Sequence, residues 1–98
     1  MQNIEIYEGL DLEALKIAHR EFNNLNKTDW TLEQFKRSLE NQEYLKFLVF
    51  KKDNLIVGIV DYSVDNPWNK RIIDVDYALD VETEKFMREY VNNFIKQN

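Results

Sequence analysis

Cysteine is absent from this chain, proline occurs once, and the 98 residues include only two glycines, Gly9 and Gly58. Without cysteine the chain can form neither a disulfide framework nor a thiolate zinc site. A phosphate-binding loop brings several backbone N–H groups close to the anion, which requires residues without a Cβ atom. Neither glycine stands where a predicted helix begins, so the sequence predicts no phosphate-binding loop of that kind.

Long hydrophobic runs are missing as well. No apolar stretch approaches the roughly 20 residues that span a bilayer, and the start of the chain lacks the basic segment and apolar run of a secretory signal. We therefore expect a cytoplasmic protein without membrane contact. The hydrophobic share of 44% argues against disorder, and the length predicts a single domain over residues 1–98.

The formal net charge is −5, and the acids are concentrated in the second half of the chain. Residues 61–84 contain seven acids, against Lys70 and Arg71. This balance opposes direct nucleic-acid binding through phosphates. The preferred interpretation is a solvated acidic face that aids solubility. The alternative is a docking surface for a basic partner, including mimicry of nucleic-acid charge.

Three helix starts carry capping residues. Asp11 is the predicted N-cap of a helix that reaches about Leu25, and Asp80 is the predicted N-cap of the last helix. Thr31 and Gln34 fit a capping box, and Trp30 before the cap fits a hydrophobic staple with Phe35. The first helix is predicted to turn one apolar side inward: Leu15, Ala18, Phe22 and Leu25.

Strands are predicted at residues 3–7, 45–50, 55–64 and 72–79. Residues 45–50 are apolar on both alternating faces, which predicts that this strand is covered on both sides. Gly58 predicts a bulge or the close approach of another element. The last strand is predicted to place four apolar side chains on one face: Ile73, Val75, Tyr77 and Leu79. The order β-α-α-β-β-β-α predicts an α+β domain with a mostly antiparallel sheet and helices on both faces.

This order resembles the first half of the GNAT superfamily of N-acetyltransferases, and so does the hairpin LKFLVFKKDNLIVGIVDYSV. The opening NIEIYEGLDLEALKIAH looks like the first strand and helix of that family. The resemblance covers most of this chain but only about the first two-thirds of a family member. It implies an acetyl-CoA-dependent transferase fold, and the later strands and helix of that fold have no counterpart here.

The most diagnostic motif of that family does not occur. In the family the fourth strand ends in an R/Q-x-x-G-x-G/A loop that holds the pyrophosphate of acetyl-CoA at a helix N-terminus. Here IIDVDYALDV continues directly into ETEKFMREY. Three acids lie at this junction: Asp80, Glu82 and Glu84. Their charges interact favourably with the helix dipole and would repel an arriving pyrophosphate. No residue is therefore assigned to a cofactor, and acetyl-CoA remains only in the alternative interpretation.

Asp74 and Asp76 lie two positions apart on a strand, so their side chains share a face. The preferred interpretation is the polar face of an edge strand over residues 72–79, which the charges protect from pairing. The alternatives are an acid–base pair with one raised pKa and pairing of this edge with another chain.

The loop before this strand is the segment singled out for binding, because it combines Trp68 with the adjacent cations Lys70 and Arg71. The preferred interpretation is an ordinary loop with Trp68 folded back on the core. In the binding alternative these three residues contact a partner together with Asp74 and Asp76.

The sequence thus predicts a non-catalytic, GNAT-like binding or regulatory module that acts through protein contacts. One alternative is an N-acyltransferase with a degenerate acyl-CoA site, or one completed by a partner chain. Another is a small acidic inhibitor of a nucleic-acid-binding protein.

Overall fold

The computed structural model describes residues 3–64, 66–68 and 71–96. Within them, four strands and three helices follow the predicted order β-α-α-β-β-β-α, which confirms the α+β class. The elements are β1 (Ile4–Glu8), α1 (Leu12–Asn26), α2 (Leu32–Glu40), β2 (Lys46–Lys52), β3 (Leu55–Ser63), β4 (Ile72–Ala78) and α3 (Val81–Lys96).

The four strands form one sheet in the order β1-β2-β3-β4, with each neighbouring pair antiparallel. Helices α1 and α2 cover one face, where Ala18, Phe35 and Val49 contribute to a hydrophobic core. Helix α3 covers the other face, where Met87 packs with Phe50 in a second core. The prediction that β2 is covered on both sides is confirmed, because its successive side chains alternate between the two cores.

Local hydrogen bonds explain where the first two helices begin. The Asp11 carboxylate accepts the N–H of Ala14 at 2.8 Å. The capping box is complete: the Thr31 hydroxyl accepts the Gln34 N–H at 3.1 Å, and the Gln34 side chain accepts the Thr31 N–H at 2.8 Å. Both bonds satisfy N–H groups that the first turn of a helix leaves without partners.

The inner side of α1 differs from the prediction at its end. Phe22 joins the core between the rings of Trp30 and Phe35, with ring centroids at 5.1 and 5.3 Å. At the start of α2, Trp30 therefore packs against Phe22, which in turn contacts Phe35, and the three rings form an aromatic cluster. Leu25, however, is 83% exposed, so the prediction that it packs inward with the other three was wrong.

Gly58 combines the two features predicted for it. The pairing of β2 with β3 shifts between Phe50, which faces Gly58, and Lys51, which faces Ile56, so β3 carries one extra residue there. A Cβ atom on Gly58 would lie 1.8 Å from Sδ of Met87 in α3. The glycine thus lets α3 approach β3 closely.

A second bulge, in β4, changes the face of the sheet on which the later side chains of this strand lie. Ile59 pairs with Tyr77 and Val60 pairs with Val75, so Asp76 is an extra residue between them. As a result Val75 packs toward α3, whereas Tyr77 packs toward α1 and α2. Leu79 lies beyond the strand and is 54% exposed. The prediction of one common face was wrong, because a bulge shifts the alternation of side chains by one residue.

Candidate functional site

Two adjoining cavities open beside β4, on the face of the sheet that α1 and α2 cover. The inner cavity, of about 420 Å³, lies between these helices and the strands β3 and β4. The outer cavity, of about 470 Å³, lies between the segment after α2 and the beginning of β4. Both are lined by Gln42, Leu45, Asp61 and Asp74, so they form one continuous depression, which we call the acidic groove.

All charged side chains that line the acidic groove within the described residues are acids: Glu21, Glu43, Asp61, Asp74 and Asp76. The inner wall is otherwise largely apolar, with Phe22 and Leu39 among its side chains. Acids that line a concave site with low-dielectric walls focus a negative potential there. The groove is therefore suited to a cation with an apolar stem or apolar neighbours.

Asp61 and Asp76 form a hydrogen-bonded pair of carboxyl groups in the inner cavity. Burial, together with the hydrogen bond with Asp61 and the charges of Asp61 and Asp74, raises the pKa of Asp76 to about 9. Burial also raises the pKa of Asp61, whereas the hydrogen bond from Asp76 lowers it. Two carboxyl groups can share a hydrogen bond only if one is protonated. At neutral pH the proton resides on Asp76, and the pair carries one negative charge.

The pairing of β3 with β4 explains how these two groups meet. Asp61 pairs directly across the sheet with Asp74. Asp76 lies two positions after Asp74, on the same face of the sheet, and it is the extra residue of the bulge, so no residue of β3 stands directly opposite it. Its Oδ2 atom is completely buried and has no hydrogen-bond donor in the described part of the chain. The interpretation of Asp76 as part of a solvated strand face was therefore wrong.

Aromatic and apolar side chains form the rim of the outer cavity. Tyr44 and Ile72 are exposed there, and Trp68 is 68% exposed. The predicted folding of Trp68 onto the core was wrong. The buried Asn66 fixes the loop, because its amide donates to the Ser63 hydroxyl at 3.1 Å and its Oδ1 accepts the Trp68 N–H at 3.1 Å. This turn holds the indole out at the rim.

Of the two cations singled out in the loop, the structure describes only Arg71. Arg71 is exposed and borders Ile72 in sequence, but it does not line either cavity. Lys70 lies outside the described residues. Of the five predicted partner-binding positions, the structure brings Trp68, Asp74 and Asp76 to one depression.

Sequence reasoning did not single out Asp61, the central acid of the groove. An acid that interrupts the apolar run LIVGIV of β3 is the pattern that points to it. Glu21 was also missed, because an acid on a helix is ordinary in a sequence. Only the packing of α1 across β4 brings Glu21 to the cavity.

The start of α3 lies at the opposite end of β4 from Trp68. Asp80 caps the helix as predicted, since its carboxylate accepts the Thr83 N–H at 2.8 Å and its carbonyl accepts the Glu84 N–H at 3.0 Å. Glu82 and Glu84 occupy the first turn. The N–H groups that could hold an anion there are partly occupied by the protein's own carboxylate.

Within the described residues, no group of three or more metal-ligating side chains has an arrangement that could hold a metal ion. In the same part of the chain, no helix combines the length and the apolar composition required to cross a membrane. No family model, no curated protein and no solved structure matches this chain.

Proposed function

We propose that this chain is a non-catalytic, GNAT-like binding module that docks a basic segment of a partner protein in the acidic groove. The observation that carries the proposal is the composition of the groove in the described residues: its charged side chains are all acids, and exposed aromatic rings stand at its rim.

The chemistry of the groove favours a partner segment that contains both cations and apolar side chains. Asp61 and Asp74 can pair with lysine or arginine, while the indole of Trp68 offers a face for stacking or for a cation–π contact. Partial burial reduces screening of such pairs by salt. The apolar inner wall, which includes Phe22 and Leu39, would cover the stem of a long side chain.

A basic segment fits the groove better than a second copy fits the edge of β4. If two copies paired β4 antiparallel about Val75, Asp74 of one copy would face Asp76 of the other, and like charges directly opposite are destabilising. The bulge at Asp76 also interrupts the regular edge that strand pairing needs. Self-association through β4 is therefore the less favoured alternative.

The start of α3 supports the non-catalytic part of the proposal. Acetyl-CoA would need free N–H groups and space for its pyrophosphate at a helix N-terminus. The Asp80 cap, followed by Glu82 and Glu84, places negative charge at that position instead. Loss of the cofactor while a GNAT-like fold is retained would leave a domain that binds without transferring an acyl group.

Charge-matched variants test the groove directly. The probe is a fluorescein-labelled octapeptide of alternating lysine and leucine, and binding is followed by fluorescence anisotropy at low ionic strength. The double variant Asp61→Asn with Asp74→Asn should weaken binding about tenfold, as expected for two ion pairs of ~0.5–1 kcal/mol each. The control Glu82→Gln with Glu89→Gln removes the same charge from α3, on the other face of the sheet, and should change affinity less than about twofold.

Equal weakening in both double variants would show that net charge alone attracts the peptide, and would refute the groove. Concentration-dependent dimerisation that is lost in a β4 edge variant would favour self-association instead. Competition between this chain and a DNA duplex for a basic partner protein would favour the alternative of an inhibitor of a nucleic-acid-binding protein.

A further inference from the structure

We infer that a cationic side chain entering the inner cavity replaces the proton shared by Asp61 and Asp76, so that binding releases a proton. This inference rests on the proposed function, and it identifies Asp76 as the residue that recognises a hydrogen-bond-donating cation. The observation that carries the inference is the Oδ2 atom of Asp76, which is buried in the inner cavity and has no donor in the described part of the chain.

Among the residues that the structure describes, no cation lines the cavity around Asp76 and could already neutralise the pair. From β3 the cavity receives Asp61, from β4 Asp74, and from α1 Glu21. The side chains that α2 contributes, such as Phe35 and Ser38, are not charged. Tyr77 is the neighbouring titratable group on β4, and it packs toward α1 and α2. Arg20 lies 3.8 Å from Glu21 and does not line the cavity.

The exchange conserves charge and atoms. Before binding, the carboxyl group of Asp76 holds the proton and donates it to the carboxylate of Asp61. When an ammonium or guanidinium group enters, its N–H groups donate to both carboxylates, and the proton leaves Asp76 for the solvent. No bond other than this O–H bond is broken. The proton and the entering cation each carry one positive charge, so the occupied site keeps the charge of the empty one.

Two consequences distinguish this exchange from simple attraction. Affinity should rise with pH while Asp76 is protonated in the free protein, by up to about tenfold per pH unit when one proton is released. A cation without N–H groups should bind through charge alone and leave the proton in place. Trimethyllysine is such a cation, because methylation keeps the charge and removes the donors.

Calorimetry counts the released proton. The lysine–leucine octapeptide is titrated at about pH 7 in phosphate and in Tris, whose ionisation enthalpies differ, so the difference in heat gives the number of protons released per peptide. Wild type should release close to one proton. Asp76→Asn should release essentially none, whereas the control Asp74→Asn should bind more weakly but still release it. The octapeptide made with trimethyllysine should release none from wild type.

The free protein supplies a measurement that does not depend on the peptide. Carbon-13 NMR of the aspartate carboxyl groups should show one of the Asp61–Asp76 pair still protonated at about pH 7. Ionisation of both groups at that pH would overturn the inference. Peptide binding to wild type without proton release would overturn it and leave the proposed function intact. Failure of wild type to bind the peptide would overturn both proposals.

Discussion

Asp76 is an acid in a place where an ionised carboxylate would be costly. Its Oδ2 atom is fully buried, and desolvation disfavours the charged form. The protein accommodates the group by keeping its proton and sharing it with Asp61. A neutral carboxyl group in a hydrogen bond costs far less than an isolated buried charge. The residue therefore makes stability depend on pH.

The first prediction concerns Asp76→Asn. The raised pKa means that the unfolded chain loses the Asp76 proton at a lower pH than the folded chain does. The stability associated with this proton is thus complete at acidic pH, below the unfolded pKa, and is lost as pH rises toward about 9. Asparagine keeps a donor for Asp61 and does not titrate. The free energy of unfolding of wild type should fall relative to the variant by up to about 1.4 kcal/mol per pH unit.

Urea denaturation at several values between about pH 5 and pH 8 measures this difference, with m-values compared to exclude a change in the unfolded state. Asp74→Asn is the control, because Asp74 is exposed and its variant should retain the slope of wild type. Parallel stability curves for wild type and Asp76→Asn would contradict the shared proton.

At the scale of the elements, two bulges determine how the helices meet the sheet. The bulge in β3 stands beside Gly58, where α3 comes closest. The bulge in β4 moves Tyr77 to the face that α1 and α2 cover. Each bulge changes which side chains reach a given face, so the packing of all three helices depends on them.

The contact between β3 and α3 gives a second prediction. Gly58→Ala places a methyl group against the buried Met87 side chain, so the free energy of unfolding should decrease by about 1–3 kcal/mol. Met87→Ala alone should cost about 2–5 kcal/mol, because it leaves a cavity. In the double variant the new methyl group occupies part of that cavity. The combined cost should be smaller than the sum by more than about 1 kcal/mol.

A double-mutant cycle by denaturant unfolding gives the coupling energy of this pair. Gly58 does not have a positive φ angle, so alanine introduces no backbone strain there and the effect reports packing alone. Additive costs in the double variant would show that α3 does not approach β3 as closely as the structure indicates.

At the scale of the whole molecule, the acidic groove and the start of α3 lie on different faces of the sheet. The groove lies on the face that α1 and α2 cover, whereas the capped helix start belongs to α3, which covers the other face. An acyltransferase of the GNAT type would need that helix start for its cofactor. A binding module needs only the groove, and its affinity would decrease with salt to the extent that exposed carboxylates such as that of Asp74 contribute to it.

The third prediction follows from the capped helix. Titration with acetyl-CoA to millimolar concentration, followed by amide NMR, should give no saturable shifts in residues 81–85. Glu82→Gln with Glu84→Gln serves as the companion variant. It should also fail to bind, because it removes repulsion without supplying the glycine-rich loop that approaches the phosphates. Localised, saturable shifts in wild type would favour the acyltransferase alternative.

Local features of the sequence were sufficient to predict the helices and strands and the residues at which the helices begin. Asp11, the Thr31 capping box and Asp80 act within three residues of themselves, so they could be predicted from the chain alone. The turn between β2 and β3 is also a local feature, because Asp53 and Asn54, residue types that tolerate positive φ angles, both adopt them. Hydrophobic alternation was sufficient to predict that β2 is buried on both faces.

The groove, in contrast, was decided by tertiary structure. Nothing local indicates that β4 carries a bulge at Asp76, because the bulge exists only in the pairing with β3. That pairing moves Tyr77 to the other core and places Asp76 beside Asp61, which lies fifteen positions earlier in the chain. The exposure of Trp68 likewise depends on the buried side chain of Asn66.

The sequence by itself determined the element order, the helix caps and the excess of acids in the second half, because these depend on neighbouring residues and on composition. The tertiary structure alone decided which acids share a cavity and which one keeps a proton. A pKa depends on burial and on charges a few ångströms away, and those distances are defined only after β3, β4, α1 and α2 have packed together.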